Sequence, residues 1–196
     1  MKIKVISDLH LEFKTIDIPN HEGADVLVLS GDIFVAESFS KLKYSYFREF
    51  LNDVSRDYED VVYVAGNHEF YQGKWNKTLE ILADECARFP NVYFLENKSK
   101  VIDGVTFVGG TLWTDMNKED PLTLHAIKGM MNDFRCVKNS NREVSYKTFD
   151  ENKNAHFSSR PAIFSPEDAV EDNKKYFDYI KFMVENNDKV VVVGHH

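Results

Sequence analysis

Short apolar runs rich in β-branched residues recur along the chain, and each one ends at polar residues. Residues 2–6, 26–29 and 61–65 predict three short parallel strands, the first of them central in its sheet. Between the strands, apolar positions recur at helical spacing. Ser40 is predicted to cap a helix that runs to about residue 58, and a second helix is predicted over residues 75–88. The predicted inward faces of these helices are Leu42, Phe47, Phe50, Leu51 and Val54, and Leu79, Leu82 and Cys86.

The second half of the chain begins and ends with regular patterns but is irregular between them. Residues 92–95 predict a strand, and 101–108 predict a hairpin that turns on Asp-Gly. From 116 to 165 the pattern is polar and broken, with a helix predicted near 122–132. A segment of this kind is typical of a lid or an insertion.

The last predicted elements are a helix and a strand. Ser165 followed by proline and two acidic residues predicts a helix start. The apolar face of this helix is predicted from Ala169, Tyr176, Phe177, Ile180, Met183 and Val184, to about Glu185. A buried strand follows at 189–193. The alternation of strands and helices predicts an α/β fold for residues 1–196 as a single domain.

Composition narrows the possible partners and the compartment. The 196 residues carry a net charge of −8, which argues against a broad duplex nucleic-acid surface. Only two cysteines are present, without a partner pattern, so a reducing, cytoplasmic location is expected. No signal peptide and no membrane association are expected, because the first strand begins at Lys2 and the apolar runs are short. The oligomeric state stays open.

Potential metal ligands follow each of the first three predicted strands. Asp8 and His10 come after the first, Asp32 after the second, and Asn67 and His68 after the third. Because the carboxyl ends of parallel strands meet at one edge of a sheet, these side chains are expected to share a site. On an extended backbone Asp8 and His10 would point to the same side and could bind one ion. Mixed oxygen and nitrogen donors suit manganese, iron or zinc better than calcium.

Each of these motifs also has a simpler interpretation. An isolated Asp-x-His is usually a turn or a surface pair, and Gly-Asp after a strand is most often part of a turn. Their order along the chain favours the functional interpretation. Glu69 is expected to orient a ligand rather than to bind metal itself. His21 is expected at the surface, and His125 and His156 are weak candidates for substrate contact.

Three blocks of the sequence together resemble a known family. They are Asp8-x-His10, Gly31-Asp32 and Gly66-Asn67-His68-Glu69, and they resemble the first three signature blocks of the calcineurin-like metallophosphoesterase superfamily. Residues 110–115 and 131–134 also resemble a bacterial and phage branch of predicted phosphohydrolases. The resemblance implies a four-layer α/β sandwich with mixed sheets flanked by helices. It also implies two divalent metal ions (Mn, Fe or Zn) that hydrolyse a phosphate mono- or diester through a bridging hydroxide.

The resemblance also implies roles for individual residues. Asp8 and His10 would bind the first metal, Asp32 would bridge the two, and Asn67 would bind the second. His68 would be a histidine that does not bind metal but stabilises the transition state or protonates the leaving oxygen. The substrate would be a small phosphate ester or a nucleotide, whose identity the sequence does not reveal.

The end of the chain departs from the family's pattern, which has a single histidine after a strand and later a Gly-His-x-His pair. His195 is interpreted as the single histidine, binding the second metal. The alternative is that Gly194-His195-His196 is a shortened Gly-His-x-His. Either way the sequence lacks at least one expected ligand, so the fold is expected to be C-terminally incomplete. A competing hypothesis is therefore a catalytically impaired binding or interaction domain. A Rossmann-type nucleotide-binding module ranks last, because no Gly-x-Gly-x-x-Gly follows a strand.

Overall fold

Two stacked β-sheets form the centre of the molecule. The computed structural model describes residues 1–151 and 153–196, and at position 140 the backbone alone. The first sheet is fully parallel, with its strands in the order β1 (Ile3–Ile6), β2 (Val26–Ser30), β3 (Asp60–Val64) and β4 (Val92–Phe94). The second has the order β5 (Lys98–Ile102), β6 (Val105–Thr111) and β9 (Val190–His195). In this sheet β5 and β6 form the predicted hairpin, and β9 pairs parallel with β6.

Side chains that alternate along the central strands divide the core into two parts. Val26 and Val28 of β2 face the second sheet, where they belong to one cluster with Phe107 and Val193. Leu27 and Leu29 point the other way, into the larger cluster. Burial on both faces is the reason that these strands read as continuous apolar runs.

Helices cover the outer face of each sheet. The first sheet carries α1 (Tyr46–Asp57) and α2 (Trp75–Cys86), and the second carries α6 (Pro166–Glu185). The fully buried Tyr176 of α6 hydrogen-bonds through its hydroxyl to the carbonyl oxygens of Val108 and Val193, at 3.0 and 2.6 Å. The helix–sheet–sheet–helix order confirms the predicted mixed α/β fold class. The predicted start of α6 is also confirmed, as a capping box between Ser165 and Asp168.

Three predictions about the first half of the chain are wrong in detail. Strand β1 lies at an edge of its sheet rather than at the centre, and Val5 is 64% exposed. Ser40 does not cap α1, because two short 3-10 turns, at Ala36–Ser40 and Leu42–Tyr44, precede that helix. Leu42 therefore lies outside the helical stripe and is almost fully exposed.

The last helix and strand are less buried than predicted. Ala169 and Tyr176 lie seven residues apart on one face of α6 and are buried, whereas Phe177 and Val184 are exposed. Phe177 is one residue beyond Tyr176, about 100° further round the helix axis, so it turns away from the sheet. Strand β9 forms an edge of its sheet, which leaves Val192 about half exposed.

The irregular segment contains more structure than its sequence pattern predicts. It contains α3 (Met116–Glu119), α4 (Pro121–Met130), α5 (Asp133–Cys136), β7 (Lys138–Phe149) and β8 (Ala155–Ile163). All four residues of α3 have positive φ, so this turn is left-handed. The predicted helix corresponds to α4, but the antiparallel β7–β8 hairpin was not predicted. Its side chains are exposed on both faces over most of its length, so no alternation marks it.

An aromatic stack attaches this segment to the body of the domain. The ring of Trp75 lies between those of Phe70 and Phe164, with ring centroids 4.1 and 4.4 Å apart. Phe164 directly follows β8, so the hairpin is anchored at its base. Whether the segment acts as a lid stays a prediction.

Two further expectations concern the whole chain. Cys86 and Cys136 are both free thiols. In the described part of the chain, every helix is too short or too polar to cross a membrane.

Candidate metal centre

The loops that follow β1, β2 and β3 are hydrogen-bonded to one another at one edge of the first sheet. The amides of Asp8 and His10 donate to the carbonyl oxygens of Gly31 and Asp32, at 3.1 and 3.0 Å. The amide of His68 donates to Asp32 Oδ1 at 2.9 Å. Backbone pairing therefore continues past the ends of β1 and β2, and the Asp32 side chain links these two loops to the loop after β3.

Asp32 belongs to two separate groups of potential ligands. In one group it lies with His10 and His68, and in the other with Asp8 and His195; within each group the ligand atoms lie within 4.8 Å of one another. His10 Nε2 is 3.8 Å from Asp32 Oδ2, and His195 Nε2 is 3.5 Å from Asp32 Oδ1. Each oxygen of one carboxylate thus faces a different imidazole. This donor set fits two neighbouring divalent cations that share Asp32.

The backbone at the site is not extended, contrary to the prediction for Asp8 and His10. Strand β1 ends at Ile6, and φ is +57° at Asp8, +45° at His10 and +56° at Asp32. Positive φ is unfavourable for residues with a side chain, and such strain is concentrated at functional sites. Asp8 and His10 fall in different ligand groups, both of which include Asp32, and their binding to one ion stays a prediction.

Two glycines are required by the close approach of these side chains. A Cβ atom at Gly31, where φ is +80°, would lie 2.4 Å from His195 Cγ. A Cβ atom at Gly66 would lie 2.2 Å from Asp32 Oδ1. Both distances are too short for non-bonded atoms, so any larger residue would displace a candidate ligand.

The fully buried carboxylate of Glu69 fixes the loops beneath Asp32. Its oxygens accept hydrogen bonds from four backbone amides and one hydroxyl: Asp32 N, Ile33 N, Phe34 N, Gly66 N and the Tyr63 hydroxyl, at 2.7 to 3.4 Å. Burial, with the nearby charge of Asp32, raises the pKa of Glu69 to about 7 against the opposite effect of these donors. Glu69 thus accepts from the backbone amide of Asp32 and does not occupy the Asp32 carboxylate.

His195 enters the site from the second sheet. Its Nδ1 lies 2.7 Å from the carbonyl oxygen of Ser30, so this nitrogen is the donor and Nε2 faces Asp32. Burial lowers the pKa of His195, but the hydrogen bond to Asp32, the charges of Asp32 and Glu69 and the Ser30 carbonyl together outweigh it and raise the pKa to about 9. A cation bound here would take the place of that proton, because a histidine ligand must be neutral.

Asn67 and His68 are held by Tyr71, which follows them in the chain. The ring of His68 stacks on that of Tyr71, with centroids 4.3 Å apart. Asn67 Nδ2 lies 3.4 Å from the Tyr71 hydroxyl, so the amide oxygen is the atom that Asn67 can offer to a cation. The Tyr71 hydroxyl in turn lies 3.4 Å from Asp133 Oδ2. Asp133 belongs to the 131–134 block, which connects the irregular segment to the site.

Glu12 was not identified in the sequence analysis. Among the described residues it is the one further carboxylate in direct contact with His10 and His68. Its Oε1 lies 3.1 Å from His68 Nδ1 and 3.6 Å from His10 Nδ1. The only available signal was its position two residues after His10, within a connection whose pattern is irregular. By contrast, His21, His125 and His156 are exposed and lie outside both ligand groups.

Comparison with known proteins identifies the family of the chain. The family model of the calcineurin-like phosphoesterases matches residues 1–196. The chain belongs to this family. Members of the family typically bind divalent metals and act on phosphate esters, which supports metal-dependent phosphoester hydrolysis in general terms.

Two individual proteins also match this chain, at 26% and 13% sequence identity. Uncharacterized protein L509 of Acanthamoeba polyphaga mimivirus is 26% identical over 217 residues, which cover 99% of this chain and 67% of that protein. One solved crystal structure is 13% identical with a TM-score of 0.36, over 56% of this chain and 52% of its own. This chain therefore spans about half the length of that structure.

Proposed function

We propose that this phosphoesterase-family chain hydrolyses a phosphate mono- or diester with the help of two divalent cations. One observation carries the proposal: the two oxygens of Asp32 face two different imidazoles, that of His10 at 3.8 Å and that of His195 at 3.5 Å. A single-metal site would need only one of these pairs. When bound, the cations would polarise an attacking water and neutralise charge on the phosphoryl oxygens.

The residues of the chain would divide the remaining work. Asp32 would join the two cation positions, and Asp8, His10, Asn67 and His195 would supply the other protein ligands. His68 would stay free of metal and protonate the departing oxygen or stabilise the transition state, a contribution of about 10²–10⁴-fold. The mixed donors favour manganese, iron or zinc. The substrate class is a small phosphate ester or a nucleotide, and the proposed location is the cytoplasm.

The test uses the purified chain, loaded in turn with manganese, iron(II) or zinc, and assayed with nitrophenyl phosphate and bis-nitrophenyl phosphate. Asp32→Asn is expected to lose most bound metal and activity, because it removes the charge shared by both groups. His68→Ala is expected to keep its metal and to lower kcat. The control is Asp53→Asn, a half-exposed position on α1 that lies outside both ligand groups.

Other outcomes would contradict the proposal in different ways. Normal turnover by Asp32→Asn would exclude the shared carboxylate, and loss of metal in His68→Ala would make His68 a ligand. A chain that binds no metal and releases no nitrophenol would support the competing hypothesis of a binding or interaction domain.

A further inference from the structure

The side chain of Glu12 lies beneath two histidines of the site without belonging to either ligand group. It is 10% exposed, and its Oε2 atom is buried without a hydrogen-bond partner among the described residues. The preceding residue, Leu11, is buried and holds this segment in place. The Leu11 amide donates to the carbonyl oxygen of Ile33 at 2.9 Å, and the Leu11 carbonyl accepts from the Tyr46 hydroxyl at 2.8 Å. Glu12 is therefore a fixed acceptor that lacks a full set of donors.

Both histidines turn the same ring nitrogen towards this carboxylate. Oε1 of Glu12 is 3.1 Å from Nδ1 of His68 and 3.6 Å from Nδ1 of His10, and the two rings meet edge to face at 4.3 Å. His10 Nδ1 is itself buried without a hydrogen-bond partner in the described part of the chain. A carboxylate only accepts, so the favourable arrangement is a proton on Nδ1 of each ring.

We propose that Glu12 is a positioning residue that holds His10 and His68 as Nδ1–H tautomers and so presents both Nε2 atoms to the phosphoesterase centre. For His10 this leaves the Nε2 lone pair directed at Asp32, where a cation would bind. For His68 it makes Nε2 the nitrogen that faces a substrate. A carboxylate that accepts from the distal nitrogen of a ligand histidine fixes its orientation and raises its basicity.

This inference rests on the proposed function for its purpose but is tested without catalysis. Long-range ¹H–¹⁵N spectra of the metal-free protein at high pH report which ring nitrogen carries the proton in each histidine. In the wild type, His10 and His68 are expected as Nδ1–H tautomers, in contrast to the Nε2–H form that histidine prefers in water. His195 serves as an internal reference, because its Nδ1 faces the Ser30 carbonyl.

Glu12→Ala is expected to return His10 and His68 to predominantly Nε2–H while His195 stays unchanged. Glu22→Ala is the matched control, since Glu22 lies in the same connecting segment but is exposed and pairs with Lys4. Zinc affinity, measured by calorimetry, is expected to fall about 10–100-fold in Glu12→Ala only. Zinc added to the wild type is expected to shift the Nε2 resonance of His10, and a shift of its Nδ1 would make Glu12 part of the metal site instead.

Unchanged tautomers in a folded Glu12→Ala protein would overturn the proposal. Nε2–H tautomers in the wild type would do so as well, and that result needs no variant that folds. If the tautomers behave as expected but no phosphate ester is hydrolysed, the proposed function fails and the positioning role stands. If a phosphate ester is hydrolysed but the tautomers do not change in Glu12→Ala, the positioning role fails and the proposed function stands.

Discussion

Replacing Glu69 with glutamine removes one acceptor from the most highly coordinated buried group of the site. Oε1 of Glu69 accepts from Ile33, Phe34 and the Tyr63 hydroxyl, and Oε2 accepts from the amides of Asp32 and Gly66. Glutamine has nearly the same shape but presents an amide nitrogen on one side. Whichever way the amide turns, at least two donors lose their acceptor and face another donor.

The expected loss of stability follows from that count. Each buried donor left unpaired costs about 1–3 kcal/mol, so Glu69→Gln is expected to lower the free energy of unfolding by roughly 2–6 kcal/mol. This is a large part of the roughly 5–15 kcal/mol typical of a domain. Zinc affinity is also expected to fall, since the amide of Asp32 is one of the released donors.

Urea unfolding of the metal-free protein at pH 8 measures this effect, because Glu69 is ionised there if its pKa is about 7. The control is Glu80→Gln on the exposed face of α2, which is expected to change the free energy by less than about 0.5 kcal/mol. If Glu69→Gln stays within about 1 kcal/mol of the wild type, the buried hydrogen bonds do not hold the loops together and the reasoning is refuted.

Three further predictions follow from other positions. Burial raises the pKa of Glu96 from 4.5 to about 8, so the folded state binds more protons than the unfolded chain between these pH values. The contribution of Glu96 to stability is therefore expected to fall as pH rises through this window, by up to about 1.4 kcal/mol per pH unit, and Glu96→Gln is expected to make the slope in urea titrations less steep by that amount. Gly66→Ala is expected to displace Asp32 and weaken zinc binding at least about tenfold by calorimetry, and unchanged affinity would contradict the close approach. Phe164→Ala is expected to cost about 3–5 kcal/mol, and a rise in hydrogen exchange over the wild type that is larger in β7 and β8 than in β2 would show that its stacking on Trp75 anchors the hairpin.

The prediction of the fold succeeded where burial is two-sided and local pattern is strong. Strands β2 and β3 are buried on both faces, so their apolar runs were unmistakable, and the Ser165 start of α6 was predictable from capping chemistry alone. The β7–β8 hairpin was not predictable from the apolar pattern, because neither of its faces is buried over most of its length. The predicted burial of Leu42 was wrong because apolar spacing does not show where 3-10 turns end and an α-helix begins.

The prediction of the site shows the same division. The side chains of Asp8, His10, Asp32, His68 and His195 could be assigned to one edge of the fold, since parallel strands deliver their carboxyl ends together. Their individual directions could not, because positive φ at three of these residues depends on hydrogen bonds between loops rather than on local preference.

The amino-acid sequence by itself determined the family, the alternation of strands and helices, and the edge at which polar ligands gather. These three features follow from local periodicity and from short motif blocks that occur in the family's order along the chain. Only the tertiary structure decided that β1 forms an edge, that Asp8 and His10 face different partners, and that Glu12 reaches His68 across 56 positions of the sequence. Such contacts depend on how separate loops pack against each other, and no pattern within one loop encodes the position of the next.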